Sequence, residues 1–215
     1  MAAIFSKSSD LVLKVAGALI GLGAVSAIAA YAYFSHPSVI DTGYQPEQPV
    51  PYSHKLHAGE LGINCTYCHY TVTKGAFAAV PGTEVCMGCH AQVRTASPRL
   101  EKVRQSYLSG APIHWVKVHD VPDYVFFNHQ AHVTAGVSCV SCHGRVDQMV
   151  EVKQVEPLNM AWCLDCHRNP APKLRPADKV TVLDWKPDRD PAEIGREIIA
   201  QKKINPPTNC SGCHR

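Results

Sequence analysis

All ten cysteines of this 215-residue chain fall in five copies of one pattern, Cys-x-x-Cys-His: Cys65/Cys68/His69, Cys86/Cys89/His90, Cys139/Cys142/His143, Cys163/Cys166/His167 and Cys210/Cys213/His214. Two thiols three residues apart, followed at once by an imidazole, form the attachment site of a c-type haem. The sulfurs make thioethers with the porphyrin vinyls and the histidine is the proximal ligand to iron. Zinc knuckles and thiol redox motifs also pair cysteines, but neither needs a histidine directly after every second one. Histidine is 12 of 215 residues, so five such placements by chance have odds on the order of 10⁻⁶. No cysteine is left for a disulfide or a nucleophile. Five covalently attached haem c groups are the cofactors this pattern calls for, and electron carriage is the property they imply.

Haem attachment takes place outside the cytoplasmic membrane, and the amino-terminal region fits that side. Lys7 and Lys14 precede Val15–Phe34, 20 residues without a charge. As a helix this run would span ~30 Å, the thickness of a hydrocarbon core. Basic residues before it put residues 1–14 inside and the haems outside, on the periplasmic side of an inner membrane. A cleaved signal peptide is the competing reading, since Ala27-Ile28-Ala29 is a small-x-small site. The run is longer than a usual signal core, so the expectation is a retained single-pass anchor over 15–34, in contact with lipid. Gly17 and Gly21 form a small-xxx-small pair, continued by Gly23, Ala24, Ala27 and Ala30. Such a face suits close packing against helices of other membrane subunits.

The formal charge is +3 with no basic run, which gives no footprint for nucleic acid. Ten haem propionates would bring up to about −10 and leave the haem region acidic. An aromatic fraction of 7% with 16 prolines suits a chain that folds around porphyrins.

Beyond a proline-rich linker, 35–51, lies an internal repeat. Tyr52-Ser-His54-Lys-Leu-His57 precedes Gly62-Ile-Asn64-Cys65, and Phe127-Asn-His129-Gln-Ala-His132 precedes Gly136-Val-Ser138-Cys139. A further haem motif follows each copy. The expected organisation is a diheme module over 52–110, a second over 111–180, and a fifth-haem segment over 181–215. The expected fold is mostly irregular with short α-helices: a multihaem cytochrome c of tandem diheme modules plus one haem, behind a single transmembrane helix. Ser97-Pro98 reads as N-cap and first residue of a helix carrying Leu100, Val103 and Tyr107 on one face. Asp190-Pro191-Ala-Glu193 reads as the start of another, with Ile194, Ile198 and Ile199 behind it. Nothing alternates as a strand.

The distal iron ligands separate a carrier from a catalyst. Each aromatic-x-His-x-x-His element supplies two imidazoles about one helical turn apart, able to reach two different irons. His54, His57, His129 and His132 are therefore the expected distal ligands of four haems. The fifth falls to His119, Met160 or Met149; a thioether would raise that potential relative to a second imidazole. His36 and His114 read as exposed or hydrogen-bonding side chains, and Met87 is too constrained by its own motif. Candidates suffice for all five irons, which argues against an open coordination site. No motif replaces its histidine with lysine, as the pentahaem nitrite reductases do. The chain is expected to carry electrons without being an enzyme by itself.

The single anchor, YSHKLH, five haem motifs, VHDVPDYVFFNHQAH and MAWCLDCHRNP together resemble the pentahaem subunit of alternative complex III, over essentially the whole chain. That resemblance implies a relay within a multisubunit membrane complex. Electrons from quinol oxidation would arrive through an iron–sulfur subunit and leave to a monohaem cytochrome c or another soluble acceptor. Quinol would bind in multispanning membrane subunits, and the haems would be a mixture of bis-His and His/Met. The alternative is a self-contained, membrane-anchored quinol dehydrogenase of the small tetrahaem cytochrome type. That family shares the topology but usually has four haems.

Overall fold

A computed structural model of the chain describes residues 7–36, 39 and 41–214. Residues 1–6 of the expected inner segment, and 37, 38 and 40 of the expected linker, lie outside the described residues. The chain forms two units, residues 1–41 and 42–215.

The first unit is one helix, α1 (Lys7–Phe34), of 28 residues. Within Ser8–Phe34 an 18-residue window reaches a mean hydropathy of 2.1 with none of it buried, so the helix is long and apolar enough to cross a membrane. The helix starts eight residues earlier than the uncharged run, for a total length of about 42 Å. In the added turns Lys14 Nζ lies 2.7 Å from Asp10, one turn away. At the other end Ser35 Oγ donates to the Tyr31 carbonyl at 2.6 Å. A Cβ added at Gly17, Gly21 or Gly23 would meet nothing within 4 Å, so nothing among the described residues requires those positions to be small.

The second unit is mostly irregular, with short helices: α2 (Thr83–His90), α3 (Glu101–Ser109), α4 (His129–Ala135), α5 (Met160–Arg168) and α6 (Pro191–Lys202), besides single turns. Among the described residues the only β-pairing is two isolated bridges, Val125 with His214 and Val137 with Leu174. α6 begins as its sequence suggests. Asp190 accepts from the Ala192 amide at 3.0 Å, Pro191 takes the first turn, and Ile194 and Ile198 are buried. They join Leu174 in the main apolar cluster, with Trp185, Ile204 and Val137 against it. Gly195 lets the helix backbone rest directly on the Ala171 carbonyl; a Cβ there would overlap it.

The other expected helix differs at its start. Pro98–Leu100 form a 3₁₀ turn, Ser97 makes no side-chain cap, and α3 proper begins at Glu101. Of the expected face only Val103 is buried, at 3%, while Tyr107 is half exposed. Eight buried apolar side chains among the described residues are a small core for a unit of this length. The balance of apolar contact must come from something other than side chains, which is what five porphyrins would supply.

Candidate haem-binding centres

A helical turn puts residues i and i+3 on one face, and each motif is wound that way. Cys65–Cys68 and Cys210–Cys213 are one-turn helices, Val140–His143 is another that Cys139 leads into, and α2 and α5 carry the remaining two. Asn64 and Asn159 accept from the amides of Thr66 and Trp162, at 3.0 and 2.9 Å, and so fix where two of these turns begin.

The histidines can be tested against the group they would hold. A metal–nitrogen bond of ~2.0 Å plus ~1.1 Å from nitrogen to ring centre would put two imidazoles on opposite sides of one iron ~6.2 Å apart. The structure brings four pairs to that separation: His54 and His69 at 6.4 Å, His57 and His90 at 6.2 Å, His129 and His143 at 6.4 Å, His132 and His167 at 6.1 Å. Each pair joins one motif histidine to one histidine of an aromatic-x-His-x-x-His element. The residues present fit haem iron. Ring planes sort the pairs: His54/His69 and His129/His143 are nearly parallel, at 4° and 8°, whereas His57/His90 is crossed at 69° and His132/His167 is tilted at 40°. In both repeats the leading aromatic locks the element. Tyr52 lies edge-on to His54 and stacked on His57, and Phe127 does the same to His129 and His132.

An imidazole whose Nδ1 donates to a carbonyl is held as the tautomer that presents Nε2 to a metal. His57 donates to Ser53 O at 2.9 Å, His90 to Val93 O at 3.0 Å, His132 to Asn128 O at 2.8 Å and His167 to Pro207 O at 2.7 Å. In the parallel pairs His69 donates to Ala79 O at 3.1 Å and His129 to Ala76 O at 2.8 Å. His54 Nδ1 is buried without a partner. The His143 ring is faced edge-on by His119, centroids 4.4 Å apart, and His119 Nε2 is itself buried without a partner.

The two repeats exchange supports. Gly75 and Met149 each stand ten residues past the first cysteine of their module. The Gln130 amide donates to Gly75 O at 3.1 Å, and its repeat counterpart, the Lys55 amide, donates to Met149 O at 2.9 Å. Each aromatic-x-His-x-x-His element is thus seated on the loop that follows the other repeat's first motif. A second tie crosses at the cysteines. Val180 O accepts from Cys139 N at 3.3 Å and from the buried Ser138 Oγ at 2.7 Å, while Asn64 Nδ2 donates to the adjacent Thr181 Oγ1 at 3.1 Å. Sequence reading missed Val180, Thr181 and Ala76, because nothing local marks a carbonyl that will meet a ligand 40 or more residues away. The equal offsets of Gly75 and Met149 were a usable signal.

Electrostatic neighbours trace the centres in space. Burial, then Cys65 and Cys89, push the Cys68 thiol up. The hydrogen bond to Cys65, then burial, pushes up Cys139. Cys142 is pushed up to about 12 by burial, then by Cys166 and Cys163; Cys163 is raised by burial, then by Cys213. Burial lowers His54 to about 4 and His143 to about 3, with neighbouring imidazoles adding to it, so both rings are held neutral, the form that binds a metal. Burial lowers His119 as well.

The three candidates for the fifth distal position are scattered. Met149 supports the first module's distal element, and His119 lies against His143. Met160 opens α5 one turn before Cys163 and is exposed. The ring of Tyr124 lies 5.7 Å from His214. His36 and His114 are exposed.

Comparison with known proteins agrees with this architecture. Residues 125–215, which hold the last three motifs, match the family of cytochrome c7 and related cytochromes c. Over 191 residues the chain is 34% identical to the multihaem cytochrome c subunit of menaquinone reductase from Nitratidesulfovibrio vulgaris, covering 86% of this chain and 84% of that protein.

Proposed function

This chain belongs to the family of that menaquinone reductase multihaem cytochrome c subunit, and we propose accordingly that it is the haem-bearing relay of a membrane quinone-linked complex, passing electrons from periplasmic carriers toward menaquinone. The observation that carries this reading is the likeness to that subunit over 86% of the chain, joined to four imidazole pairs already at iron-ligating separation. Bound haem supplies one-electron transfer. The chain supplies everything that directs it. Cys65, Cys68, Cys86, Cys89, Cys139, Cys142, Cys163, Cys166, Cys210 and Cys213 attach the five groups. His69, His90, His143, His167 and His214 serve as proximal ligands, opposed by His54, His57, His129 and His132 at the first four.

At the fifth, Met160 is the distal ligand. It shares a helical face with Cys163, on which Cys213 acts electrostatically more strongly than any other cysteine. The centres then run in the order His90, His69, His143, His167, His214, with the two modules meeting at Cys65 and Cys139. α1 is retained as a single-pass anchor, amino terminus inside, and its Gly17/Gly21 face packs on a partner's helix.

Quinone chemistry belongs to partner subunits. The second reading, quinol oxidation as in alternative complex III with an iron–sulfur partner and a monohaem cytochrome c acceptor, rests on the segments around His54, His119 and Cys163 and reverses only the direction.

The experiment is to pre-reduce the detergent-solubilised chain, add a menaquinone analogue, and follow the α-band with and without the native membrane partners. Reoxidation only with partners supports the relay. Rapid, inhibitor-sensitive exchange by the chain alone makes it a self-contained quinone oxidoreductase. Rapid reduction by menaquinol in the complete complex, without reoxidation by menaquinone, selects quinol oxidation.

A further inference from the structure

Five groups in a row leave open where along the row an electron rests. Hydrogen bonding behind the ligands bears on that question. A carbonyl that accepts from Nδ1–H makes the imidazole a stronger donor, and a stronger donor favours ferric over ferrous iron. Counted this way, the four bis-histidine centres are not alike. At His57/His90 both imidazoles donate to carbonyls, and so do both at His132/His167. At His54/His69 only His69 does, because His54 Nδ1 is buried without a partner. At His129/His143 only His129 has a carbonyl, while the His119 ring stands edge-on to His143, centroids 4.4 Å apart.

The two centres with the deficit are the two that meet across the module junction. There the Val180–Thr181 strand of chain ties Ser138 and Cys139 of one module to Asn64 of the other. Internal position acts in the same sense, since a low-dielectric surrounding disfavours the extra positive charge of the ferric form.

We infer that the backbone carbonyls of Ser53, Val93, Asn128 and Pro207 and the intrusion of His119 act as potential-setting positions: the junction centres His54/His69 and His129/His143 accept an electron at higher potential than the outer centres His57/His90 and His132/His167. One electron converts one ferric centre to ferrous, supplied and withdrawn by the redox partners at the ends of the row. The partly reduced protein therefore holds its first bis-histidine electrons at the interface between the repeats. This rests on the axial ligation proposed above.

Ring geometry provides a label that does not depend on potential. Near-parallel imidazole planes give rhombic low-spin ferric spectra, and crossed planes give strongly anisotropic signals with a large principal g value. The junction pairs are near-parallel, while of the outer pairs His57/His90 is crossed at 69° and His132/His167 is tilted at 40°. The experiment is an EPR-monitored redox titration of the purified full-length holoprotein, with the fifth centre identified separately by the near-infrared band of a thioether-ligated iron.

The expected result is that the rhombic signals of the junction centres disappear first as the potential is lowered and the large-g signal of His57/His90 persists. Loss of the large-g signal first, or of both classes together, overturns the inference while leaving the ligands in place. A ferric high-spin signal, or the absence of the two low-spin classes, rejects the ligand pairing itself.

Discussion

The first repeat carries His54 and His57 into a wide π-type turn, Lys55–Glu60, and the second carries His129 and His132 into an α-helical one, His129–Ala135. Despite that difference the ring separations agree, 6.4 Å against 6.4 Å and 6.2 Å against 6.1 Å. The turn is therefore not what places the imidazoles. Both elements are seated by the same offset on the opposite module's loop and stacked on an aromatic two residues ahead. Where the supports diverge, the copies diverge. His129 has the Ala76 carbonyl, and His54 has nothing in the corresponding place.

The largest effect that would break the comparison is loss of a ligand. Replacing His54 or His129 with alanine is expected to convert one of the five irons to high spin and stop transfer between the modules. Magnetic circular dichroism of each variant and a stopped-flow trace check it. A variant that kept all its low-spin signal would remove that histidine from the ligand set.

Next come the glycines that end the two elements. Gly136 sits at φ 109°, where a Cβ would lie 2.5 Å from the Arg175 carbonyl; Gly62 sits at φ 66° with open space around it. Gly136→Ala should cost about 2–4 kcal/mol of holoprotein stability, the strained backbone and the displaced Arg175 segment together. Gly62→Ala should cost only about 1 kcal/mol. Denaturant unfolding of the two variants compares them, and equal costs would mean that the second copy is no tighter than the first.

A smaller difference is expected one residue before the first cysteine of each repeat. Ser138 Oγ is buried on Val180 O, so Ser138→Ala removes the shorter of that carbonyl's two hydrogen bonds and leaves a small void, for about 1–2 kcal/mol. Asn64 is an exposed cap, and Asn64→Ala should cost about 1 kcal/mol or less. Thermal unfolding ranks them.

The smallest effect is electrostatic. The supporting loop of the second module carries an ion pair, Arg145 with Asp147 at 2.6 Å, where the first module has Thr71 and Thr73. The hydrogen bond from Arg145 holds the Asp147 carboxyl below its ordinary value. Its contribution is present above the unfolded carboxylate range near pH 4, and is lost as pH falls through the lower folded value. Asp147→Asn should remove under about 1 kcal/mol at neutral pH, because the pair is partly solvated. Stability curves of the variant and the parent should converge in acid.

The five motifs, the repeat and the irregular, helix-poor fold could be read from the sequence because each is encoded within a few residues: a cysteine pair three apart, an aromatic two before a histidine, an aspartate before Pro191. What escaped was set by distance along the chain. The matching of His57 to His90 but His54 to His69 depends on how the element lies across two motifs. The tie at Val180 and Thr181 joins segments more than 100 residues apart at its Asn64 end. Ser97 was legible as a cap and does not act as one, since a 3₁₀ turn through Pro98 intervenes before α3. The uncharged run from Val15 understated α1 because the Asp10–Lys14 pair lets polar residues continue the helix.

The exchanged seats have a consequence for how such a chain can change length. A half cut out between the repeats would expose both distal elements with nothing beneath them, so neither half can be inherited, lost or shuffled alone. New centres can be added only at the free ends of the row, where no reciprocal partner is required. The single motif at Cys210 occupies such an end, and the segment that carries it is docked by α6 rather than by a mirror-image copy of itself.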